Sequence, residues 1–267
     1  MGEGSMFFTV LMVEWLKTRR TPVRWLVWGT PLALAAPLIW YLAYKASGSA
    51  GQLMAYQTFF ETWTALVIPV GAGLLTGILI HQEELAGSFN GLLGSSLSRT
   101  SIYLGKFMTL SLLSLTSTLL ATLLLVAGIS YGLNMPVSWP FFILGALLAE
   151  VGTLPLLALH LWVSFAWGMG ASLGIGGGGL LIAALMGTTS LSNKVWQFIP
   201  WAWPVRLALL PGIYLQRWSN VPPPLLASGY AWQEALKGLI PALIVFVVLT
   251  VGGVLWFIRW EGRKVYD

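Results

Sequence analysis

Long apolar runs, separated by short polar stretches, dominate the sequence. A bilayer core about 30 Å thick is crossed by about 20 helical residues, and six segments have this length and character. They are Arg24 to Tyr44, Thr62 to Ile80, Phe107 to Leu133, Phe141 to Ala166, Gly170 to Leu191 and Leu239 to Ile258. The pattern predicts an all-α polytopic membrane protein, with six transmembrane helices in a single domain over residues 1–267.

Two further apolar segments are too short or too charged to span. Residues 6–23 include FFTVLMVEWLKTRR, which turns from apolar to basic and predicts an elbow helix in the inner interface. The alternative is an extension of the first span. Residues 192–238, the outer segment, contain runs of about ten apolar residues broken by Pro200, Pro204 and Pro211, and such runs predict a re-entrant or interfacial segment.

Basic residues and aromatic belts predict the orientation. With six spans, nine of the fourteen Lys and Arg residues fall on one side: Lys17, Arg19, Arg20, Arg24, Arg99, Lys106, Arg259, Arg263 and Lys264. Cytoplasmic loops carry an excess of Lys and Arg, and Trp and Tyr collect at both interfaces. We therefore expect a multi-pass plasma-membrane protein with both termini in the cytoplasm.

Composition excludes several other classes of protein. The chain is 57% hydrophobic and 9% charged, with a mean hydropathy of +0.80, whereas soluble domains carry about 25% charged residues. It has no cysteine, and its two histidines, His81 and His160, lie far apart, so we expect no metal site. The net charge of +5 comes from residues that flank apolar blocks, so nucleic acid is not an expected partner.

Motifs for nucleotide chemistry are incomplete. Residues 174–179 contain a GxGxxG pattern, but no strand precedes it and no acidic residue follows at the required distance, so these glycines predict close helix packing. The Gly105-Lys106 pair is followed by Phe107 and lacks the upstream glycine of a Walker A motif. We therefore expect no catalytic residue, no cofactor bound by this chain and no ATP hydrolysis by it alone.

Glu150 is the strongest single candidate for a role inside the membrane. An ionisable residue within a span costs about 2.5 to 3.5 kcal/mol and usually faces the protein interior. We predict that Glu150 takes part in substrate handling or gating. The alternative is a protonated or hydrogen-bonded packing residue, near His160 about three helical turns away.

The connection between the second and third spans, residues 81–100, is called the coupling segment below. It joins an acidic helix extension at Glu83 and Glu84, a flexible stretch from Gly87 to Gly94 and a turn at Ser98 and Arg99. An amphipathic segment of this kind can dock into a groove on a cytoplasmic partner. An ordinary solvated loop is the alternative.

The order of these features resembles the permeases of ABC-2 type transporters. A basic elbow helix and a span are followed by E-E-x-x-G-S-x-x-x-L-L, S-x-S-R and L-G-K. In that family the equivalent segment is the coupling helix, which contacts the ATPase. The resemblance thus implies an ATPase-coupling role for Glu83, Glu84, Gly87, Ser88, Phe89, Leu92, Leu93 and Arg99.

Two more motifs look most like lantibiotic-immunity permeases of the E and G types, which are similar to bacitracin-resistance permeases. They are E-W-x-K-x-R-R from Glu14 to Arg20 and I-P-W-x-W-P-x-R from Ile199 to Arg206. The resemblance implies a second permease chain, identical or paralogous, and a dimer of a cytoplasmic ABC ATPase that carries ATP and Mg²⁺. It also implies expulsion of an amphipathic cationic peptide from the membrane lipids for self-immunity.

The outer segment is rich in tryptophan and is expected to form an aromatic cap on the outer face of the membrane. Such a cap suits that task, because a peptide at headgroup depth would meet its rings. Trp196, Trp201, Trp203 and Arg206 are therefore further substrate or gating candidates. The cap carries three basic residues, Lys194, Arg206 and Arg217, and one acidic residue, Glu234. This balance of charge provides no acidic attraction for a cationic peptide. The alternatives are an exporter of another amphiphile, such as a lipid, a drug or a bacitracin-like compound, and an intramembrane enzyme or assembly factor that uses Glu150 and His160.

Overall fold

The computed structural model of the chain describes residues 3–45, 48–215 and 229–263, and this part contains helices and no strands. The α-helices are α1 (Glu3–Lys17), α2 (Pro22–Lys45), α3 (Gly48–Thr62), α4 (Ile68–Leu85), α5 (Asn90–Leu93), α6 (Arg99–Ala127), α7 (Trp139–Ile182), α8 (Ala202–Leu209), α9 (Gly212–Leu215) and α10 (Tyr230–Ile258). Five-residue π-helical turns occupy Trp63–Val67, Gly128–Gly132 and Ala183–Gly187. The predicted all-α fold is confirmed.

Five helical runs in the described residues are long and apolar enough to cross a membrane. They are Pro22–Lys45, Gly51–Leu85, Arg99–Gly132, Trp139–Gly187 and Tyr230–Ile258. Their number is one fewer than the six predicted segments, because the fourth and fifth of those segments are joined in α7. The helices still have the lengths and composition of a multi-pass membrane protein.

Helix α7 folds back on itself at Gly168. This glycine has φ +88° and ψ −177°, a conformation that residues with a side chain rarely adopt. On either side of it, His160 Nδ1 lies 3.0 Å from Ser172 Oγ, although twelve residues of straight helix would separate them by about 18 Å. We call the result the α7 hairpin, with a first arm of residues 139–167 and a second arm of residues 169–182.

Glycines let α4 approach the second arm closely. A Cβ atom on Gly73 would lie 2.7 Å from the carbonyl oxygen of Ser172, and one on Gly176 would lie 2.7 Å from that of Pro69. A Cβ on Gly179 would meet the indole of Trp201, whereas Gly174, Gly177 and Gly178 have open space around them. Close packing is thus confirmed for Gly176 and Gly179 of the glycine cluster.

The N-terminal part of the chain differs in two ways from the simplest interpretation of the sequence. The 3₁₀ turn Thr18–Arg20 and the extended residue Thr21 separate α1 from α2, so α1 does not merely extend the first span. The second predicted span began at Thr62, but the helical run containing it starts fourteen residues earlier, at Gly48. Tyr56 in this additional helix is buried and donates a hydrogen bond to the carbonyl of Ala208 at 2.5 Å.

The described part of the outer segment folds into the bundle. Helix α8 buries most of its residues, and a Cβ on Gly152 of the first arm would lie 2.7 Å from the backbone nitrogen of Pro204. Gly152 lies about 20 Å along the helix from Trp139, so α8 packs against the middle of the first arm. Residues 216–228 of the outer segment, including Arg217, lie outside the described residues.

Candidate functional site

Four charged side chains from three helices form an ion network beside the coupling segment. The side chain of Lys106, on α6, is fully buried, and its Nζ lies 2.7 Å from Glu14 Oε2 on α1 and 2.7 Å from Glu83 Oε1 on α4. Lys17 Nζ completes the network, 3.0 Å from Glu14 Oε1 and 2.7 Å from Glu83 Oε1. Two carboxylates thus face two ammonium groups, and the network is electrically balanced.

The network fixes α1, α4 and α6 relative to one another. A buried ammonium group is stable only when it is paired and hydrogen-bonded, so Lys106 requires both glutamates where they lie. Burial by itself lowers the pKa of Lys17, but the nearby carboxylates of Glu14 and Glu83 outweigh this effect and raise that pKa above its ordinary value. The helix that precedes the coupling segment is therefore anchored on α1 and on the first turns of α6.

The coupling segment makes a tight reversal of the chain between α4 and α5. Gly87, Ser88 and Phe89 all have positive φ angles, of +124°, +51° and +68°. The amides of Ser88 and Phe89 donate to the carbonyls of Glu84 and Glu83, at 2.7 Å and 3.3 Å, and so close the C-terminus of α4. The segment is therefore an ordered turn followed by the short helix α5, and its docking on a partner stays a prediction.

Burial divides the predicted coupling residues into two groups. Phe89 and Leu92 are buried within the chain, and the Phe89 ring packs against Trp260 and Phe165. Gly87 and Ser88 are exposed, together with Leu85. The exposed residues can face a partner, whereas the buried ones hold the turn in place.

Two more predicted coupling residues contact the C-terminal end of the chain. Arg99 donates a hydrogen bond from Nη1 to the carbonyl of Trp260 at 3.0 Å. Glu84 Oε2 lies 2.6 Å from Arg263 Nη2 and 3.1 Å from His81 Nδ1. The sequence predicted Arg263 only as one of the cytoplasmic basic residues and not as part of the coupling site.

Glu150 is buried and hydrogen-bonded to a neighbouring helix. Its Oε2 accepts a hydrogen bond from Ser114 Oγ at 2.9 Å, while its Oε1 has no partner among the described residues. His160 bonds instead to Ser172, which donates to the carbonyl of Gly73 at 3.0 Å. Glu150 and His160 lie about 15 Å apart along the first arm, which is the predicted three turns, and each has its own hydrogen-bond partner.

The outer segment does not present the expected aromatic surface. Trp196 and Trp203 are only 3% and 1% exposed, and they pack with Leu207 and Ala242 in a core cluster. The Trp203 Nε1 atom donates to a backbone carbonyl within the same segment, at 2.9 Å. The apolar faces of these two rings therefore serve the packing of this chain, and their role in substrate handling or gating stays a prediction.

The other two candidates in the outer segment also make internal contacts. Trp201 is half-buried against Gly179 of the second arm. Arg206 donates from Nη2 to the carbonyl of Thr189 and to Ser192 Oγ, the latter at 3.1 Å. These contacts fasten α8 to the residues that follow the α7 hairpin.

Residues 10–176 match the sequence profile of the family described as ABC-2 family transporter protein. This chain belongs to the ABC-2 transporter family. The matched region covers more than half of the chain and contains the ion network, the coupling segment and the turn of the α7 hairpin. No curated protein and no solved structure matched the chain. Membership identifies the chain as the membrane subunit of a transporter, whose partner is an ABC ATPase.

Three residues of this ABC-2 permease make ion contacts at the candidate site but were not among its predicted residues: Glu14, Lys106 and Arg263. Glu14 and Lys106 were visible as charges within otherwise apolar helical stretches, which is the pattern expected of paired buried ions. Arg263 gave no such signal, because it lies among the basic residues that follow the last span. Its partners lie about 95 and 180 positions away in the sequence, so only the folded chain shows them.

Proposed function

We propose that this ABC-2 permease is the transmembrane subunit of an ATP-driven exporter, and that its ATPase docks on the exposed turn of the coupling segment. The observation that carries this proposal is the ion network, which anchors the helix preceding that turn. A turn mounted on a buried, charge-balanced network can transmit force, because displacing it would separate paired buried ions. A solvated loop would absorb the same force.

The α7 hairpin supports six crossings rather than five. A straight helix from Trp139 to Gly187 would be about 73 Å long, more than twice the hydrocarbon thickness. The first arm is about 44 Å long, and the second arm together with the π-helical turn Ala183–Gly187 is about 29 Å long, so each is long enough for one crossing. With six crossings both termini lie on one side. The positive-inside rule places that side in the cytoplasm, with Lys17, Arg99, Lys106 and Arg263.

For the substrate we propose an amphipathic antimicrobial peptide, expelled from the membrane for self-immunity. The support is the likeness of residues 14–20 and 199–206 to lantibiotic-immunity permeases. The complex would contain a second permease, identical or paralogous, and an ATPase dimer holding ATP and Mg²⁺. Because Trp196 and Trp203 are buried, the exposed Phe198, at 74% exposure, is a better contact for a lipid-bound peptide.

Co-purification tests the ATPase partnership. The chain, tagged at its C-terminus and extracted from native membranes in mild detergent, should bring down an ABC ATPase in stoichiometric amount. Leu85→Asp should weaken this recovery, since Leu85 is 74% exposed in the proposed docking turn. Leu191→Asp is the matched control, because Leu191 is also 74% exposed but lies in the 3₁₀ turn Ser190–Ser192, beyond the end of the second arm. Equal recovery with both variants would refute docking at this turn.

Peptide tolerance tests the substrate. Expression of the permease with its ATPase in a sensitive host should raise the inhibitory concentration of a lantibiotic, and a Walker-site variant of the ATPase should abolish the increase. Resistance to bacitracin or to a small amphiphilic drug alone would instead assign the transporter to that other class of amphiphile. Protection that persists without any ATPase would support the intramembrane enzyme or assembly factor.

A further inference from the structure

Arg263 lies where three parts of the permease meet. Its Nη2 lies 2.6 Å from Glu84 Oε2, at the end of α4. Its guanidinium carbon lies 5.3 Å from the centre of the Phe89 ring, in the left-handed turn of the coupling segment. Its Nη1 occupies the space beside Gly168, where a Cβ atom would lie only 2.2 Å away.

The chemistry of these contacts suits an arginine and not a lysine. A planar guanidinium can lie over an aromatic ring and face a carboxylate at its edge at the same time, whereas an ammonium is a point charge. Both charged side chains are largely withdrawn from solvent, at 20% exposure for Arg263 and 31% for Glu84. The absence of a side chain at Gly168 serves two purposes, because it permits the turn of the α7 hairpin and leaves room for the guanidinium.

We propose that Arg263 is a positioning residue that transmits displacement of the coupling segment to the turn of the α7 hairpin. The segment cannot move relative to Gly168 without separating the Arg263–Glu84 ion pair or unstacking Arg263 from Phe89. Helix α10 moves with them, because Arg99 also holds the carbonyl of Trp260. This inference rests on the proposed docking of the ATPase at the coupling segment.

The absence of cysteine from the chain allows a direct distance measurement. Spin labels on Ser96→Cys, in the coupling segment, and Gly170→Cys, just after the hairpin turn, report their separation by double electron–electron resonance. Both positions are exposed, and Gly170 has open space around it. The labelled permease is measured alone and in its complex with the co-purified ATPase, with and without ATP.

A narrow distance distribution is expected for the otherwise native chain. Arg263→Ala should increase the displaced population about two- to fivefold, which is the range for a partly exposed ion pair. Arg259→Ala is the control, because Arg259 is exposed on the same end of the molecule and forms no ion pair within the described residues. Glu84→Gln preserves size and should reproduce the effect even if Arg263→Ala folds poorly.

Charge reversal separates positioning from simple packing. The double variant Glu84→Arg with Arg263→Glu should restore the part of the narrow distribution that depends on the ion pair, which a packing defect would not do. In the complex, Arg263→Ala should retain the ATPase but lose the ATP-dependent change in distance. An unchanged distribution in both Arg263→Ala and Glu84→Gln would overturn the inference. Failure of the ATPase to bind the native chain would refute the proposed function instead, while the distances in the isolated permease still test the contact.

Discussion

Replacement of Lys106 by methionine is the sharpest test of the ion network. Methionine fills a similar volume but removes the ammonium group that pairs with both Glu14 and Glu83. Removing one partner of a buried ion pair costs about 3 to 5 kcal/mol, because the other partner is left as an uncompensated buried charge. Lys17 lies within 3.0 Å of both glutamates and offsets part of this loss, so we expect about 3 kcal/mol.

A loss of about 3 kcal/mol corresponds to about a hundredfold shift in the folding equilibrium. Lys17→Met is the matched control, because it removes an ammonium group from the same two carboxylates. The side chain of Lys17 is 46% exposed while that of Lys106 is fully buried, so the control should cost less than about 1 kcal/mol. The comparison of Lys106→Met with Lys17→Met therefore separates the effect of burial on stability from the effect of removing a positive charge.

The assay is equilibrium unfolding in mixed micelles with increasing denaturing detergent, followed by Trp fluorescence. Parallel co-purification shows whether the ATPase still binds. We expect Lys106→Met to lose both stability and ATPase binding, and Lys17→Met to retain them. Equal stability of the two variants would show that the buried pair does not hold α1, α4 and α6 together.

Three further predictions concern the membrane interior. Gly176→Ala should destabilise the permease by about 1 to 3 kcal/mol in the same unfolding assay, since the added Cβ meets the backbone of α4. The control, Gly177→Ala, should have no such cost, because Gly177 has open space around it. Glu150→Gln should preserve stability, because an amide can also accept the serine hydrogen bond. Loss of the ATPase activity of the complex with normal assembly would support the predicted gating role, whereas unchanged activity would leave Glu150 as a packing residue. Trp203→Ala should lower the free energy of unfolding by about 3 to 5 kcal/mol, because the ring is buried. Phe198→Ala should be close to neutral, because Phe198 is exposed. A larger loss of stability for Phe198→Ala than for Trp203→Ala would support the interpretation of the tryptophans as a contact surface.

Hydropathy predicted the helical segments well, because a bilayer imposes the length of each crossing. The gap left between Ala166 and Gly170 contains the turn at Gly168, where the α7 hairpin reverses direction. Helix α3 was missed because residues such as Gln52 and Tyr56 lower the local hydropathy. Their side chains are nevertheless buried against other helices.

The candidate site was only partly predictable for a physical reason. Sequence spacing located the coupling segment, since its turn residues and charges are neighbours along the chain. The pairing of Lys106 with Glu14 spans 92 residues and depends on how α1 packs against α6. The enrichment of tryptophan at membrane interfaces predicts the depth of a ring in the membrane, but not whether the ring faces lipid or protein. Trp203 faces protein.

Burial of the Lys106 ion pairs also determines how the permease responds to ionic strength. At physiological salt the Debye length is about 8 Å, and mobile ions screen exposed charges much more than buried ones. Concentrated salt would therefore leave α1, α4 and α6 assembled, while any electrostatic contact of the exposed turn with a partner would weaken. A high-salt wash of the purified complex thus separates the two classes of interaction, because it strips a charge-dependent partner from a permease that stays folded.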